Sequence, residues 1–336
     1  MAEIRPLWLA SLVLVAVLLP GVTSAWASSA VEPAIPLEEA SLQAAGPGGA
    51  LLDGPLVPSA LVAVPAGSDF DAAVVDAAPG PLLERSQVVT LYGYPGVPAM
   101  GDLGGYTPDE AAAEVRRLAW VYDALNGERG AAGALHVVVS VAHPAPLADG
   151  SYLSHLDPAV IAEYVEAARR NGVLLVLDTQ LGMVDPVEEA RRLEPFLAEP
   201  FVHLALDPEF AMRAKGGVPG AVIGSVDAAE VNAVQAYLAG VVRAHGLPSK
   251  LLVVHQFRAD MLTHSVAWED APEVQRVINV DGWGDLETKL ETYEAFALAP
   301  YAQHAGVKLF EGWDEPMLTP SEVLSLARQP DFVVYQ

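Results

Sequence analysis

Between Gln87 and Gln336, short apolar runs alternate with stretches of helical periodicity, and each run stops abruptly at acids, histidine or aromatics. The clearest runs are VLLVLDTQ (173–180), VHLALDPEF (202–210), LLVVHQF (251–257), VINVDGWG (277–284) and GVKLFEGW (306–313). Continuous, β-branched apolar runs of this length predict strands covered on both faces. Eight strands are predicted, at 88–93, 135–142, 173–178, 202–207, 251–256, 276–281, 306–311 and 331–335. Helix starts fall between them: Thr107-Pro108-Asp109-Glu110, Asp157-Pro158, Asp185-Pro186, Asp227 and Thr319-Pro320 each offer a capping side chain, most of them followed by proline at the first helical position. Asn171-Gly172 supplies a C-terminal stop. The connection after the fifth strand is the weakest, with one short helix near Ala259–His264.

Sustained βα alternation with short connections implies right-handed crossovers and a parallel sheet. Eight such strands favour closure, so the expected fold class is α/β, a (βα)8 TIM-type barrel over 86–336. Its eighth strand ends the chain and has no helix of its own to follow, unless part of the preceding segment covers that gap. No strand is followed by GxGxxG or GxxxxGK[ST], which argues against dinucleotide and P-loop chemistry.

The first 85 residues read differently. Leu7–Leu19 is a 13-residue apolar core after Arg5, broken by Pro20-Gly21 and followed by Ala25-Trp26-Ala27, a small-x-small cleavage pattern. Residues 1–27 are therefore expected to be a secretory signal peptide, with an uncleaved anchor as the alternative, and the body of the protein is expected to be secreted or held at the cell surface. Residues 28–85 are rich in Ala, Pro and Gly and lack periodicity, as a linker or N-terminal arm would be.

Composition narrows the partners. With 43 acidic against 18 basic residues the formal net charge is −25. Such a surface repels nucleic acid and anionic membranes, so neither is an expected partner once the signal is cleaved. The absence of cysteine rules out disulfides, thiolate nucleophiles, Cys-ligated metals and a lipobox.

Chemistry concentrates at the strand ends, where working groups of such barrels sit. Residues two apart on a strand point the same way. Asp207 and Glu209 form such a pair, as do Asp178 and Gln180, Asp281 and Trp283, and Glu311 and Trp313. His255 follows LLVV, and Tyr92 and Tyr94 flank a glycine at the end of the first strand. A mouth with several carboxylates, an imidazole and aromatic faces fits glycoside hydrolysis, which needs one protonated carboxyl and a second carboxylate beside flat surfaces for sugar rings. Glu209 is the expected general acid and Asp207 its tuning or orienting partner. Asp178 and Glu311 are candidates for the second carboxylate role. Tyr92, Tyr94, Gln180, His255, Asp281, Trp283 and Trp313 are expected to contact substrate. Asp207 before Pro208 also fits a plain helix cap, and Lys308, inside the seventh strand, fits a salt bridge as well as a charge partner of the site.

The DxE of LALDPEF resembles the Asp-x-Glu that ends the fourth strand in chitinase-like and family-25 lysozyme-like glycoside hydrolases, although the longer DGxDxDxE of the chitinases is absent. That resemblance implies an acid at Glu209 and an orienting or charge-stabilising role at Asp207. Over 88–336, YPGVPAMGDLG, LDTQLG, LALDPEF, LPSKLLVVHQF, NVDGWG and DFVVYQ together are similar to a family of secreted or lipid-anchored bacterial proteins of actinobacterial type. This second resemblance implies fold and compartment, and no activity.

The resulting expectation is an exported hydrolase that cleaves a glycosidic bond in a cell-wall or extracellular polysaccharide, with a carbohydrate as its partner. No metal and no cofactor is assigned. The alternatives are a non-catalytic carbohydrate- or wall-binding barrel, and a metal-dependent hydrolase using Asp178, Asp207, Glu209 and His255, an oxygen-rich set suited to calcium, magnesium or manganese.

Overall fold

The computed structural model describes residues 81–336. The expected signal peptide and nearly all of the expected linker lie outside the described residues. Strands are β1 (Gln87–Gly93), β2 (Ala131–Ala142), β3 (Leu153–His155), β4 (Leu174–Gln180), β5 (Val202–Asp207), β6 (Val226–Asp227), β7 (Lys250–Gln256), β8 (Leu262–Thr263), β9 (Val274–Val280), β10 (His304–Leu309) and β11 (Phe332–Tyr335). Eight of them run parallel in the order β1-β11-β10-β9-β7-β5-β4-β2, and β1 also pairs with β2, which closes the barrel. These eight overlap the eight predicted strands. β3 adds antiparallel to β2 at the rim, and β6 and β8 pair outside the barrel.

Near-continuous apolar strands suit this closure because both faces of each strand are covered, one by the barrel interior and one by helices. Val88, Leu135, Leu175, Leu204, Leu252, Ile278, Val307 and Val333 have no exposed surface. Each such side chain contributes on the order of 1.5–3 kcal/mol on burial, which is what makes unbroken apolar runs worth their poor solubility in the unfolded chain.

The outer helices begin where the sequence places caps. Thr107 and Glu110 form a reciprocal capping box at the helix Pro108–Leu125, and Asp227 with Glu230 and Thr319 with Glu322 repeat it at Ala228–His245 and Pro320–Leu324. Asp157 and Asp185 cap Pro158–Asn171 and Pro186–Arg192 through single bonds to backbone amides. After β7 the chain departs from the predicted short helix at Ala259–His264. Only a 3-10 turn, Ala259–Met261, forms there, and the next two residues become β8 because they pair with β6 instead.

No helix follows β11 among the described residues. The last part of the expected linker, however, forms a short helix, Leu82–Arg85, across the N-terminal end of the barrel. Leu83 donates its amide to Gln275 at the start of β9 at 2.8 Å, and Arg129, just before β2, donates to the Leu83 carbonyl at 2.9 Å. Among the described residues no helix is long and apolar enough to cross a membrane.

Candidate active site

The ends of β1, β2, β4, β5, β7, β9 and β10 converge on one polar mouth. Its centre is Tyr92, a buried phenol against which Asp178, Asp207, Asp281 and Glu209 all act electrostatically. Burial first, and then these four charges, push its hydroxyl well above the ordinary tyrosine range. The Lys308 ammonium lies 3.7 Å from the centre of the Tyr92 ring, so this lysine points into the barrel. The loop after β1 folds back tightly over the strand end. Gly101 sits at φ 118, and a Cβ there would lie 2.5 Å from the Tyr92 carbonyl oxygen, so only glycine lets the loop close over the tyrosine.

Glu209 is placed by the turn that ends β5. Pro208 stops the strand, Asp207 Oδ1 accepts the Glu209 amide at 2.9 Å, and the Gly224 amide donates to the Glu209 carbonyl at 2.6 Å. Gly224 has no room for a Cβ, which would meet the Pro208 carbonyl oxygen at 2.4 Å. Asp207 is thus both the cap that its position before proline suggests and a member of the mouth. Burial, then repulsion from Asp207 and Asp281, raises the Glu209 carboxyl to about 8, against the pull of Lys308 and His255. Asp207 is raised to about 6, chiefly by burial. Glu209 therefore lies among the charges of the mouth, and its raised value favours the protonated carboxyl at neutral pH.

Beneath this pair lies an imidazole–carboxylate network. His255 Nδ1 is 2.7 Å from Asp281 Oδ2, and His255 Nε2 is 3.0 Å from Asp178 Oδ2. Burial disfavours the charged imidazole, but Asp281 and Asp178 outweigh it and raise His255 to about 10. Asp281 also accepts from Asn279 Nδ2 at 2.6 Å and lies 3.5 Å from Lys308 Nζ. Burial would raise Asp178, yet His255 and His136 hold it well below the usual carboxylate range. His136 Nε2 is 3.2 Å from Asp178 Oδ2, and its ring packs 5.0 Å from that of Tyr92. Burial pushes His136 below the ordinary histidine value.

The remaining candidates are less central. Glu311 is exposed beyond the end of β10, its amide tied to the Gln336 carbonyl. Its charge acts on Asp102, which burial chiefly and then Glu311 raise to about 6, and on Tyr106. Gln180 is buried, and its Oε1 accepts the Ala142 amide at 2.9 Å, so it braces β2 against β4. Trp283 and Trp313 meet edge to face with centroids 5.1 Å apart, and Trp313 is 48% exposed. The loops carrying them are held by a buried latch. Lys289 Nζ pairs with Asp314 Oδ2 at 2.8 Å and donates to the Gly282 carbonyl, and Asp314 accepts from the amides of Gly284 and Phe310. Tyr94 is half-buried at the rim, bridged to Val97.

The oxygen-rich metal set expected from Asp178, Asp207, Glu209 and His255 does not assemble as such. Among the described residues, the group that comes together with metal-ligand spacing is His136, Asp178 and His255. Asp207 is engaged with its own turn, where its Oδ1 accepts the Glu209 amide. His136 escapes a search of strand ends because it lies inside the apolar run ALHVVVS. A lone histidine in the middle of a buried strand was the available signal.

No family model and no curated protein matches the chain. Among solved structures it is similar to 2,3-dimethylmalate lyase, a member of the PEP mutase/isocitrate lyase superfamily, with a TM-score of 0.43 and 12% identity in the triclinic crystal form, over 76% of this chain and 78% of that one. The trigonal form of the same lyase gives 0.40 and 11%, over 75% and 74%. A hyperthermophilic endo-beta-1,4-glucanase in complex with substrate gives 0.36 and 9%, over 75% and 88%. These likenesses concern barrel architecture alone.

Proposed function

We propose that this barrel hydrolyses a glycosidic bond by carboxylate acid–base catalysis, outside the cytoplasm, on a cell-wall or extracellular polysaccharide. The observation that carries the reading is the place of Glu209, fixed by the Asp207 cap at the end of β5 among Asp207, Asp281, Lys308 and His255. A half-buried carboxyl at the end of the fourth barrel strand, facing ionised Asp281 and held protonated to about 8, has what a general acid needs to protonate a leaving glycosidic oxygen near neutral pH. Asp207, at about 6, is the neighbour through which that proton is tuned.

The second carboxylate role goes to Asp281. It is ionised, because His255 and Lys308 hold it below the usual range despite burial, and 14% of its side chain remains open to the mouth. From there it stabilises developing positive charge at the anomeric carbon or orients the attacking water. Asp178 is enclosed between two imidazoles, and Glu311 stands with Asp102, so neither is assigned that role. Trp283, Trp313 and Tyr94 supply flat apolar faces at the rim for sugar rings.

The test is to assay wild type and Glu209→Gln against a panel of soluble polysaccharides and peptidoglycan, following reducing ends. Turnover by wild type that is lost in the variant supports the reading. Turnover that survives removes Glu209 as the acid. Saturable glycan binding without turnover in either protein favours a carbohydrate-binding barrel.

A further inference from the structure

We propose that His136, Asp178 and His255 form a binding site for one divalent transition-metal ion of the zinc type, deep in the barrel below the Glu209 carboxyl. The donors come from three different strands, β2, β4 and β7, and are 0%, 1% and 2% exposed. One atom from each, two ring nitrogens and a carboxylate oxygen, lies within 4.8 Å of the others.

The geometry is that of ligands around an ion more than of groups bonded to each other. His136 Nε2 and His255 Nε2 approach Asp178 Oδ2 to 3.2 and 3.0 Å, yet neither contact has the alignment of a hydrogen bond. Both oxygens of Asp178, both nitrogens of His136 and Nε2 of His255 are buried without a hydrogen-bond partner. Buried polar atoms in proteins are satisfied in the large majority of cases, because each orphan costs about 1–3 kcal/mol, and here five such atoms gather at one place. An ion about 2.0–2.2 Å from each donor leaves neighbouring donors about 3.0–3.5 Å apart, the range in which both His–Asp178 spacings fall.

The surroundings fit as well. A metal-bound imidazole characteristically hands its other N–H to a carboxylate, which fixes the ring, and His255 Nδ1 meets Asp281 Oδ2 at 2.7 Å. Asp281 is itself oriented by Asn279 at 2.6 Å. Two nitrogens and one oxygen suit zinc, cobalt or manganese better than calcium or magnesium, which take oxygen shells. Three protein donors leave a coordination position free. The site stands on these contacts: the ion takes the place of the proton on His255 Nε2, which is released to solvent on binding, while the Nδ1–H stays on Asp281.

The experiment is to strip the purified full-length chain with a chelator, dialyse it, and titrate Zn2+ and Co2+ separately by calorimetry, with elemental analysis of the loaded protein. The expected result is one ion per chain, affinity at least about 100-fold weaker in His136→Gln and Asp178→Asn, and about 10–100-fold weaker in Asp281→Asn. Failure of wild type to retain stoichiometric metal, or undiminished binding by the folded His136 and Asp178 variants, overturns the proposal. If those variants do not fold, anomalous diffraction at the metal edge from Zn2+-loaded wild-type crystals decides it. A peak among the three donor atoms supports the site, and a peak elsewhere overturns it.

Discussion

The two ends of the barrel both bury charged and polar side chains, but they satisfy them in opposite ways. At the floor, Lys250 has no exposed surface and gives its ammonium protons to the main-chain carbonyls of Glu199 and Val202. His203 accepts the Leu251 amide at Nδ1, although its Nε2 has no partner, Gln275 accepts the Leu83 amide, and Gln87 donates to the Pro330 carbonyl. At the mouth, Asp178, His255, Asp281 and Lys308 are bound chiefly to one another, and several of their polar atoms have no aligned partner. Side chains anchored to backbone fix the fold. Side chains anchored to each other hold charge that a substrate or an ion can rearrange.

This contrast predicts that substitutions at the mouth change chemistry with little loss of fold, while those at the floor do the reverse. The largest effect is expected for Glu209→Gln, which should lower hydrolysis by about 10²–10⁴-fold in an assay at neutral pH while the thermal melt stays cooperative. Glu311→Gln, the same carboxyl deletion beyond the end of β10, three strands from β5 in the barrel order, should stay within about threefold of wild type in that assay, because Glu311 stands apart with Asp102. At the floor, Lys250→Ala should cost about 2–4 kcal/mol in denaturant unfolding, through the cavity and two carbonyls left without a donor.

Glu209 also links the mouth to stability. Its folded value near 8 lies above its ordinary value of 4.5, so the folded state holds the proton more tightly. That contribution is fully present below about pH 4.5 and is lost as pH rises through about 8. Wild type should therefore lose about 1–3 kcal/mol between pH 5 and 8 relative to Glu209→Gln, in paired denaturant titrations. A parallel pair of stability curves would contradict the assignment. The smallest effect concerns Lys308, whose charge pulls the Glu209 value down. Lys308→Met should move the Glu209 midpoint upward by about one pH unit or less, followed by NMR of the glutamate carboxyls.

Most of the fold was legible in the sequence because closure of a barrel demands unbroken apolar strands, and those are visible as runs. Strand parity at LALDPEF places Asp207, the last residue of β5, in the mouth, whereas Glu209 lies past the strand in the 3-10 turn Pro208–Phe210 and is held there by the Asp207 cap and not by alternation. The same parity misplaced the weight given to Glu311. β10 ends at Leu309, two residues before Glu311, and the chain there turns to bond Gln336, so alternation no longer governs where that side chain goes. Gln180 occupied the expected strand end but is held by the Ala142 amide, a contact between strands 38 residues apart that no local pattern reports. His136 lay hidden for the opposite reason: it interrupts an apolar run instead of ending one.

The central claim is that Glu209 is an acid kept protonated at neutral pH by its place in the mouth. Carbon-13 NMR of chain labelled at the glutamate carboxyls, titrated from pH 4 to 10 in wild type and Glu209→Gln, measures this without a substrate. One carboxyl resonance with a midpoint near 8, missing from the variant, is the predicted result. A spectrum in which every glutamate titrates below about pH 5.5 would contradict it.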